Sequence, residues 1–544
     1  MVRGEHPAGT DVDDVARVRD LIAEGRAFLG IELGSTRIKA CLTGPGFAPV
    51  ATSSHEWENQ FVEGRWTYSL ESVWSGLQAC YAGLVAEVLG RYGVQPTAYG
   101  AIGVSAMMHG YLAFGRSGEL LVPFRTWRNT STGQAAAELT ELLGFNVPLR
   151  WSIAHLYQAV LDGEGHVDKV AALTTLAGYV HWRLTGRFAL GVGDASGMFP
   201  VDPATGDYDR GMIAQVDRLL RQRVPSLSLP DLLPRVLLAG QEAGELTEEG
   251  ALLLDPTGAL RPGVRFCPPE GDAGTGMVAT NSVAPRTGNV SVGTSIFAMV
   301  VLERPLAAVH PELDIVMTPA GNPVAMVHCN NGASELATWA GVFGRCAAAL
   351  GAQASSDAVF AALLTEALAG ERDGGGLLVY NYLSGEPITG VEDGRPLFVR
   401  TPDSRFTLAN FMRAQVYAVY ATLSLGMAVL AAEGVRVDRL LAHGGLFRTP
   451  GAAQQLLAAA LGVPVAVESS AGEGGAWGIA LLAAYLDAAA AQSLSDFLAT
   501  EVFHEGSVSV VSPDGQDVEG FAAFLERYRR GLALERAAVE AVPG

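Results

Sequence analysis

The stretch GIELGSTRIKA, residues 30–40, decides how this chain folds. Together with Ala27 to Leu29 it forms an apolar run to Leu33, breaks at Gly34-Ser35-Thr36, and resumes an alternating pattern from Arg37 to Leu42. That pattern is strand, tight turn, strand. A glycine at the bend lets backbone N–H groups approach an anion closely, and the Ser35 and Thr36 hydroxyls add donors. The same residues would serve an ordinary hairpin, so the motif acquires meaning from what accompanies it.

Working outward, Leu70 to Tyr92 carries apolar residues at Val73, Leu77, Cys80, Tyr81, Leu84 and Val88, with Gly90 and Gly93 at its end. This spacing predicts a helix. Strands are expected at Ala101 to Ser105 and Tyr111 to Phe114. Helices are expected at Gly133 to Leu143, Leu173 to Leu184, Leu408 to Ala432, Ala452 to Leu461 and Gly475 to Ala490. The fold class is α/β. A Pro/Gly-rich stretch, Leu254 to Pro269, is the expected domain boundary. It separates a polar leader (1–26) and a first domain (27–262) from a second domain (263–500) and a C-terminal tail (501–544). Gly293-Thr294-Ser295 lies between β-branched runs just as Gly34-Ser35-Thr36 does, as expected if two related domains each offer a phosphate turn.

The whole chain bounds the chemistry. Its 544 residues allow two to four domains, and 57 acidic against 37 basic residues give a net charge of −20. Such a surface disfavours a nucleic-acid groove, while a small anion held by backbone N–H groups remains compatible. Cys41, Cys80, Cys267, Cys329 and Cys346 are scattered, with no metal-ligand spacing, which suits a reducing cytoplasm. The leader has no signal-peptide stretch, and the run Leu456 to Val467, broken by Gly462 and Pro464, falls short of the roughly 18 residues of a membrane span.

Three further segments carry chemistry. In EGDAGTGMVA, Glu270 to Ala279, glycines bracket Asp272 and leave its carboxylate approachable, so that it could take the proton of an attacking hydroxyl. An Asp in a Gly-rich turn is also a common Asx-turn residue. LLAHGGLFRTPGAAQQLL, from Leu440, reads as strand, Gly444-Gly445 break, loop and helix, where a flat base could lie on backbone. GVSAMMHGYLAF and VPFRTWRNTST set Met108, His109, Trp127, Arg128 and Asn129 near strand ends, a mixture of aromatic face and donors suited to a polyol.

In this order and spread, the four segments resemble the FGGY family of carbohydrate kinases, within the actin, hexokinase and Hsp70-like ATPase group. The resemblance runs from about Ala27 to about Leu486 and includes AGEGGAWGIALLAAYL, Ala471 to Leu486, which looks like the family's adenosine-side helix. It implies two actin-like (ribonuclease H-like) domains with an ATP and sugar cleft between them. Asp272 would be the catalytic base, and Gly34, Ser35, Thr36, Gly293, Thr294 and Ser295 the phosphate turns. Gly444, Gly445, Thr449 and Gln454 would flank the nucleoside, and Met108, His109, Trp127 and Asn129, with Asp272, would meet the sugar. ATP and Mg2+ follow, with Glu32 and Asp272 as the metal's carboxylates; a homodimer is compatible with this reading.

Two departures stand out: Glu32 replaces the family's usual Asp, and TWRN (126–129) replaces the usual Trp-Asn-Asp pattern. A ketopentose, L-ribulose or D-xylulose, is the leading substrate. Two other readings share the fold: an activator or chaperone-like ATPase, since GSTRIKA also looks like the opening of those proteins, and a catalytically silent sugar-binding relative.

Overall fold

The computed structural model describes residues 10–449, 451–468, 474–504 and 508–542. The chain forms two compact units. The first comprises Met1–Val283, Ile315–Pro323 and Gly472–Glu505; the second comprises Ala284–Asp314, Val324–Ala471 and Gly506–Gly544. The chain first passes from one unit to the other at Val283–Ala284, beyond the stretch 254–269. The later part of that stretch runs beside a strand of the first unit: Ile102 donates to the Arg265 carbonyl (2.9 Å) and Cys267 donates to the Ile102 carbonyl (3.1 Å). The stretch is thereby tied into the first unit, to which Asp272 also belongs.

The elements that position functional residues are, in chain order, β1 (Phe28–Leu33), β2 (Arg37–Thr43), β3 (Pro49–Glu56), α1 (Leu70–Tyr92), β4 (Ala101–Ala106), β5 (Glu270–Gly271) and α2 (Asp272–Ala279). There follow β6 (Thr287–Val292), β7 (Ile296–Val301), β8 (Leu313–Met317), β9 (Pro323–Cys329), α3 (Leu408–Ala432), β10 (Arg439–Gly444), α4 (Ala452–Leu461) and β11 (Val465–Glu468). The chain ends with α5 (Gly474–Ala488), β12 (Val508–Val511) and α6 (Gly515–Ala541).

In the first unit the sheet order is β5-β4-β1-β2-β3. The short 34–36 turn forces β2 antiparallel to β1, whereas the long crossover through α1 returns β4 parallel to it. α1 begins where the Ser69 hydroxyl accepts the Ser72 N–H and ends at left-handed Gly93; its buried stripe includes Val73, Leu77, Cys80, Tyr81, Leu84 and Val88, the residues the spacing picked out. The helix expected at Leu173 starts later. Ala172–Thr174 is a short strand, and Thr175 caps a helix over Leu176–Thr185 by accepting the Gly178 N–H, a role that β-branched, hydroxyl-bearing Thr fills better than a helix interior position.

α5 returns to the first unit and packs on β1 almost backbone to backbone. A Cβ at Gly30 would overlap the Ala476 carbonyl, and one at Gly478 would overlap the Thr275 carbonyl of α2. The glycines of AGEGGAWG thus serve close helix-to-strand approach; Ala471 to Glu473 lie outside the described residues.

In the second unit the sheet order is β9-β7-β6-β10-β11-β12. Its central helix α3 is, among the described residues, the one helix long and apolar enough to cross a membrane, with mean hydropathy 1.5, but most of it is buried. It is a core helix. Within it Arg413, fully buried, pairs with Asp517 of α6 and bonds the Tyr417 hydroxyl (3.0 Å), the partnering that a buried guanidinium requires.

The Gly478 contact is made to main chain, which cannot swing away as a side chain would. Gly478→Ala is expected to destabilise the protein by about 3 kcal/mol in denaturant unfolding, whereas Gly276→Ala, where a Cβ meets nothing within 4 Å, should be neutral or gain up to about 1 kcal/mol from helix propensity.

Candidate active site

Strand β1 ends at Leu33 and the chain reverses through Gly34-Ser35-Thr36, closed by Gly34 N–H donating to the Arg37 carbonyl (2.9 Å). Every carbonyl of the turn is taken from behind. The Trp57 indole N–H donates to Gly34 (2.7 Å), the Tyr68 hydroxyl to Ser35 (2.6 Å), and the Trp57 backbone N–H to Thr36 (3.1 Å). Ser35 and Thr36 are exposed and face an open cleft of about 660 Å3, which Glu32, Lys39, Trp57 and Asp272 also line.

The sheet explains this grouping. Glu32 lies opposite Lys39 on β2 and level with Ser105 on β4. The Ser105 hydroxyl meets that of Thr275 (3.0 Å), whose O–H is shared between the Gly271 and Asp272 carbonyls (3.2 Å each).

Asp272 is the first residue of α2, with Gly271 as its cap, and so sits at a helix N-terminus instead of in an Asx turn. Its Oδ1 accepts the N–H of Ala273 (3.0 Å) and of Met108 (3.3 Å). Asp272 is exposed to the cleft it lines, with protein packed closely about that wall. Loss of water there raises its pKa, and the two N–H donors and the nearby Arg150 charge oppose the rise.

Beneath it lie two carboxyl groups that the sequence reading missed. Glu270 is fully buried and accepts the N–H groups of Gly193 (3.3 Å) and Asp194 (2.9 Å); burial, reinforced by Asp194, pushes it up to about 8. Asp194, buried too, accepts the Thr175 hydroxyl (2.6 Å) and is pushed up to about 7 by burial. Glu270, two residues before Asp272 in an apolar run, carried a sequence signal; Asp194 carried none. Lys39 and the pair Trp57 and Tyr68 were missed likewise, because their significance depends on tertiary contacts.

The residues expected at the sugar separate into two groups. Met108 reaches Asp272 through its N–H, and His109 follows it in left-handed conformation (φ 69°). The His109 Nδ1 lies 3.1 Å from the Gly197 carbonyl. A carbonyl can only accept, so Nδ1 carries the proton and Nε2 keeps a lone pair. Burial, with the Arg150 charge, lowers His109 to about 3, and the ring is therefore neutral.

Trp127 is 40% exposed. Asn129 has a structural role: its Oδ1 accepts the Trp66 N–H (2.9 Å), and its Nδ2 donates to the Trp66 and Thr126 carbonyls (2.8 and 3.0 Å). Arg128 stacks over the Trp66 ring (4.0 Å).

In the second unit, Gly293-Thr294-Ser295 forms the β6–β7 hairpin tip, with Gly293 N–H donating to Ser295 (2.9 Å). Its carbonyls are held as in the first turn: Gly332 donates to Thr294 (2.7 Å) and Ala333 to Gly293 (2.8 Å). Asn381 holds the Asn331 and Gly332 carbonyls in turn, and buried Glu386, pushed up to about 7 by burial, accepts from Asn331.

Parallel pairing sets Val292 beside Gly444, so the hairpin tip and the exposed Gly444-Gly445 bend share one end of the sheet. Thr449 follows the short turn Gly445–Arg448. Gln454 is not available to a nucleoside: its Nε2 donates to the Val465 and Ser509 carbonyls (2.8 Å each), tying α4 to β11 and β12.

Among the described residues no cluster of three or more His, Cys, Asp or Glu side chains could cage a metal. Glu32 and Asp272, two carboxylates on one cleft, do fit Mg2+, which keeps most of its waters and is held by one or two carboxylates together with phosphate oxygens.

The chain matches both halves of one family model: the N-terminal domain of the FGGY family of carbohydrate kinases over residues 27–255, and its C-terminal domain over 288–486. It is 21% identical over 360 residues to a xylulose kinase of Haemophilus influenzae, covering 64% of this chain and 68% of that protein. Among solved structures it is similar to a xylulose kinase from Rhodospirillum rubrum (TM-score 0.76, 20% identity, 95% of this chain and 99% of that one). It is also similar to a gluconate kinase from Lactobacillus acidophilus (TM-score 0.74, 17% identity, 95% and 99%). The fold is that of the family, α/β with two actin-like domains.

Removing a side chain that closes three hydrogen bonds inside the protein should cost stability before it costs recognition. Asn129→Ala is expected to lower the unfolding free energy by about 1–3 kcal/mol while the Michaelis constant for sugar changes less than twofold, measured by thermal unfolding and steady-state kinetics.

Proposed function

We propose that this chain, which belongs to the FGGY family of carbohydrate kinases, transfers the terminal phosphate of ATP to a hydroxyl of a ketopentose, with L-ribulose and D-xylulose as first candidates. One observation carries the reading: Asp272 stands at a helix N-terminus on the same cleft as the Gly34-Ser35-Thr36 turn, with the Met108 N–H bonded to its carboxylate. The likeness to xylulose kinases favours a ketopentose; the likeness to a gluconate kinase makes a sugar acid the alternative to test.

In this mechanism Asp272 accepts the proton of the attacking hydroxyl. The neutral His109 ring offers its Nε2 lone pair to a second hydroxyl, which orients the sugar. The exposed Ser35 and Thr36 N–H groups receive phosphate oxygens, and the Lys39 ammonium offsets their charge. Gly444, Gly445 and Thr449 border the nucleoside. Mg2+, held by Glu32 and Asp272, would neutralise charge on the phosphates.

Phosphoryl transfer needs alignment and charge neutralisation more than covalent chemistry, which suits a site built from turns and carboxylates. The small-molecule substrates and the scattered thiols of the sequence favour a cytoplasmic enzyme acting without nucleic acid or membrane; a homodimer is compatible with this.

A positioned base contributes about 10²–10⁴-fold, so Asp272→Asn should lower kcat at least about a hundredfold while ATP affinity is retained; near-normal turnover would remove Asp272 from this role. A coupled ADP-release assay over ketopentoses, ketohexoses, polyols and sugar acids should give its highest kcat/KM with a ketopentose and no turnover once magnesium is chelated. A sugar acid as best substrate would replace the ketopentose, and silence with every acceptor would refute phosphotransfer.

A further inference from the structure

We infer that Trp57 and Tyr68 form a positioning clamp that fixes which face of the first turn's peptide planes meets phosphate. The inference rests on the reading that this turn receives phosphate oxygens, and it comes from the geometry behind the turn. The two rings stack with centroids 4.2 Å apart and planes 26° apart, and both are buried. Tyr68 is anchored just before the Ser69 cap of α1, while Trp57 directly follows β3.

In a trans peptide the C=O and the N–H of the next residue point in opposite directions. Holding the Gly34 carbonyl on the Trp57 indole and the Ser35 carbonyl on the Tyr68 hydroxyl therefore forces the N–H groups of Ser35 and Thr36 to the other side. Among the described residues neither of those N–H groups meets an acceptor, and both residues are exposed.

A short turn in water can flip a peptide plane at little cost, which would present a carbonyl oxygen to an anion. Here a flip would break a bond of 2.6–2.7 Å and leave a buried donor unsatisfied. The Tyr68 hydroxyl, pushed up to about 12 by burial against the lowering Arg128 charge, remains a donor at working pH. The clamp needs aromatic residues because each must combine a ring for the stack with a polar tip for the turn.

Tyr68→Phe keeps the ring and deletes its donor, and Trp57→Phe deletes the indole donor while keeping a smaller aromatic ring for the stack. In the full chain, each is expected to weaken ATP binding about tenfold with magnesium present, by calorimetry, and to raise the Michaelis constant for ATP equally, while that for sugar stays within twofold. Tyr92→Phe is the control, since the Tyr92 hydroxyl makes a comparable bond to the Val50 carbonyl (2.9 Å) away from the turn; it should leave ATP binding unchanged.

If the wild-type protein binds ATP and both clamp variants bind it equally well, the clamp is refuted and the kinase reading stands. If Tyr92→Phe weakens binding as much as they do, the effect is general destabilisation and the clamp is likewise refuted. If the wild-type protein binds no ATP, both readings fall together.

Discussion

The first unit depends on a contact with almost no side chain in it. Helix α5 lies so close to β1 that a Cβ on Gly30 would occupy the space of the Ala476 carbonyl, and the same helix meets α2 where Gly478 abuts Thr275. Backbone cannot yield as a side chain can, so the separation of these elements is set within a few tenths of an ångström. β1 carries Glu32 and leads into the phosphate turn, and α2 begins with Asp272. One glycine-bearing helix thereby fixes the spacing between the carboxylate proposed as base and the turn that faces it.

A second constraint lies beneath the cleft. Glu270 and Asp194 are carboxyl groups removed from water, and each survives there because donors surround it: two backbone N–H groups for Glu270 and the Thr175 hydroxyl for Asp194. Burial drives both toward the neutral form, which lessens the charge they would otherwise set against Asp272. Both units repeat one local solution: carbonyls of a Gly-Ser/Thr turn are bound from behind, by aromatic side chains in one case and by a loop pinned through Asn331, Asn381 and Glu386 in the other.

Local periodicity made much of this legible. The β1–β2 hairpin, α1 with its buried stripe, and the strand-to-helix passage around Gly444 are written in spacing and glycine placement. What escaped depends on partners distant in sequence. Asn129 and Gln454 have the chemistry of ligands, yet each is spent on main chain inside its own unit. The prolines of 254–269 look like a linker, and only pairing with Ile102 shows the stretch to be part of a sheet. Nothing in the sequence around Trp57 or Tyr68 says that each side chain takes one carbonyl of the same turn.

The first unit is discontinuous, and α5 lies beyond most of the second unit in the chain. During synthesis β1 and β4 emerge from the ribosome hundreds of residues before the helix that covers their glycine face. Until then the hairpin and α2 lack the helix that packs on both, so the first unit to be translated cannot finish folding as it appears. The second unit waits longer still, because β12 and α6, which supplies the partner of Arg413, come after α5. A nascent chain stalled before Gly474 would hold every proposed catalytic residue yet lack the part that sets their spacing.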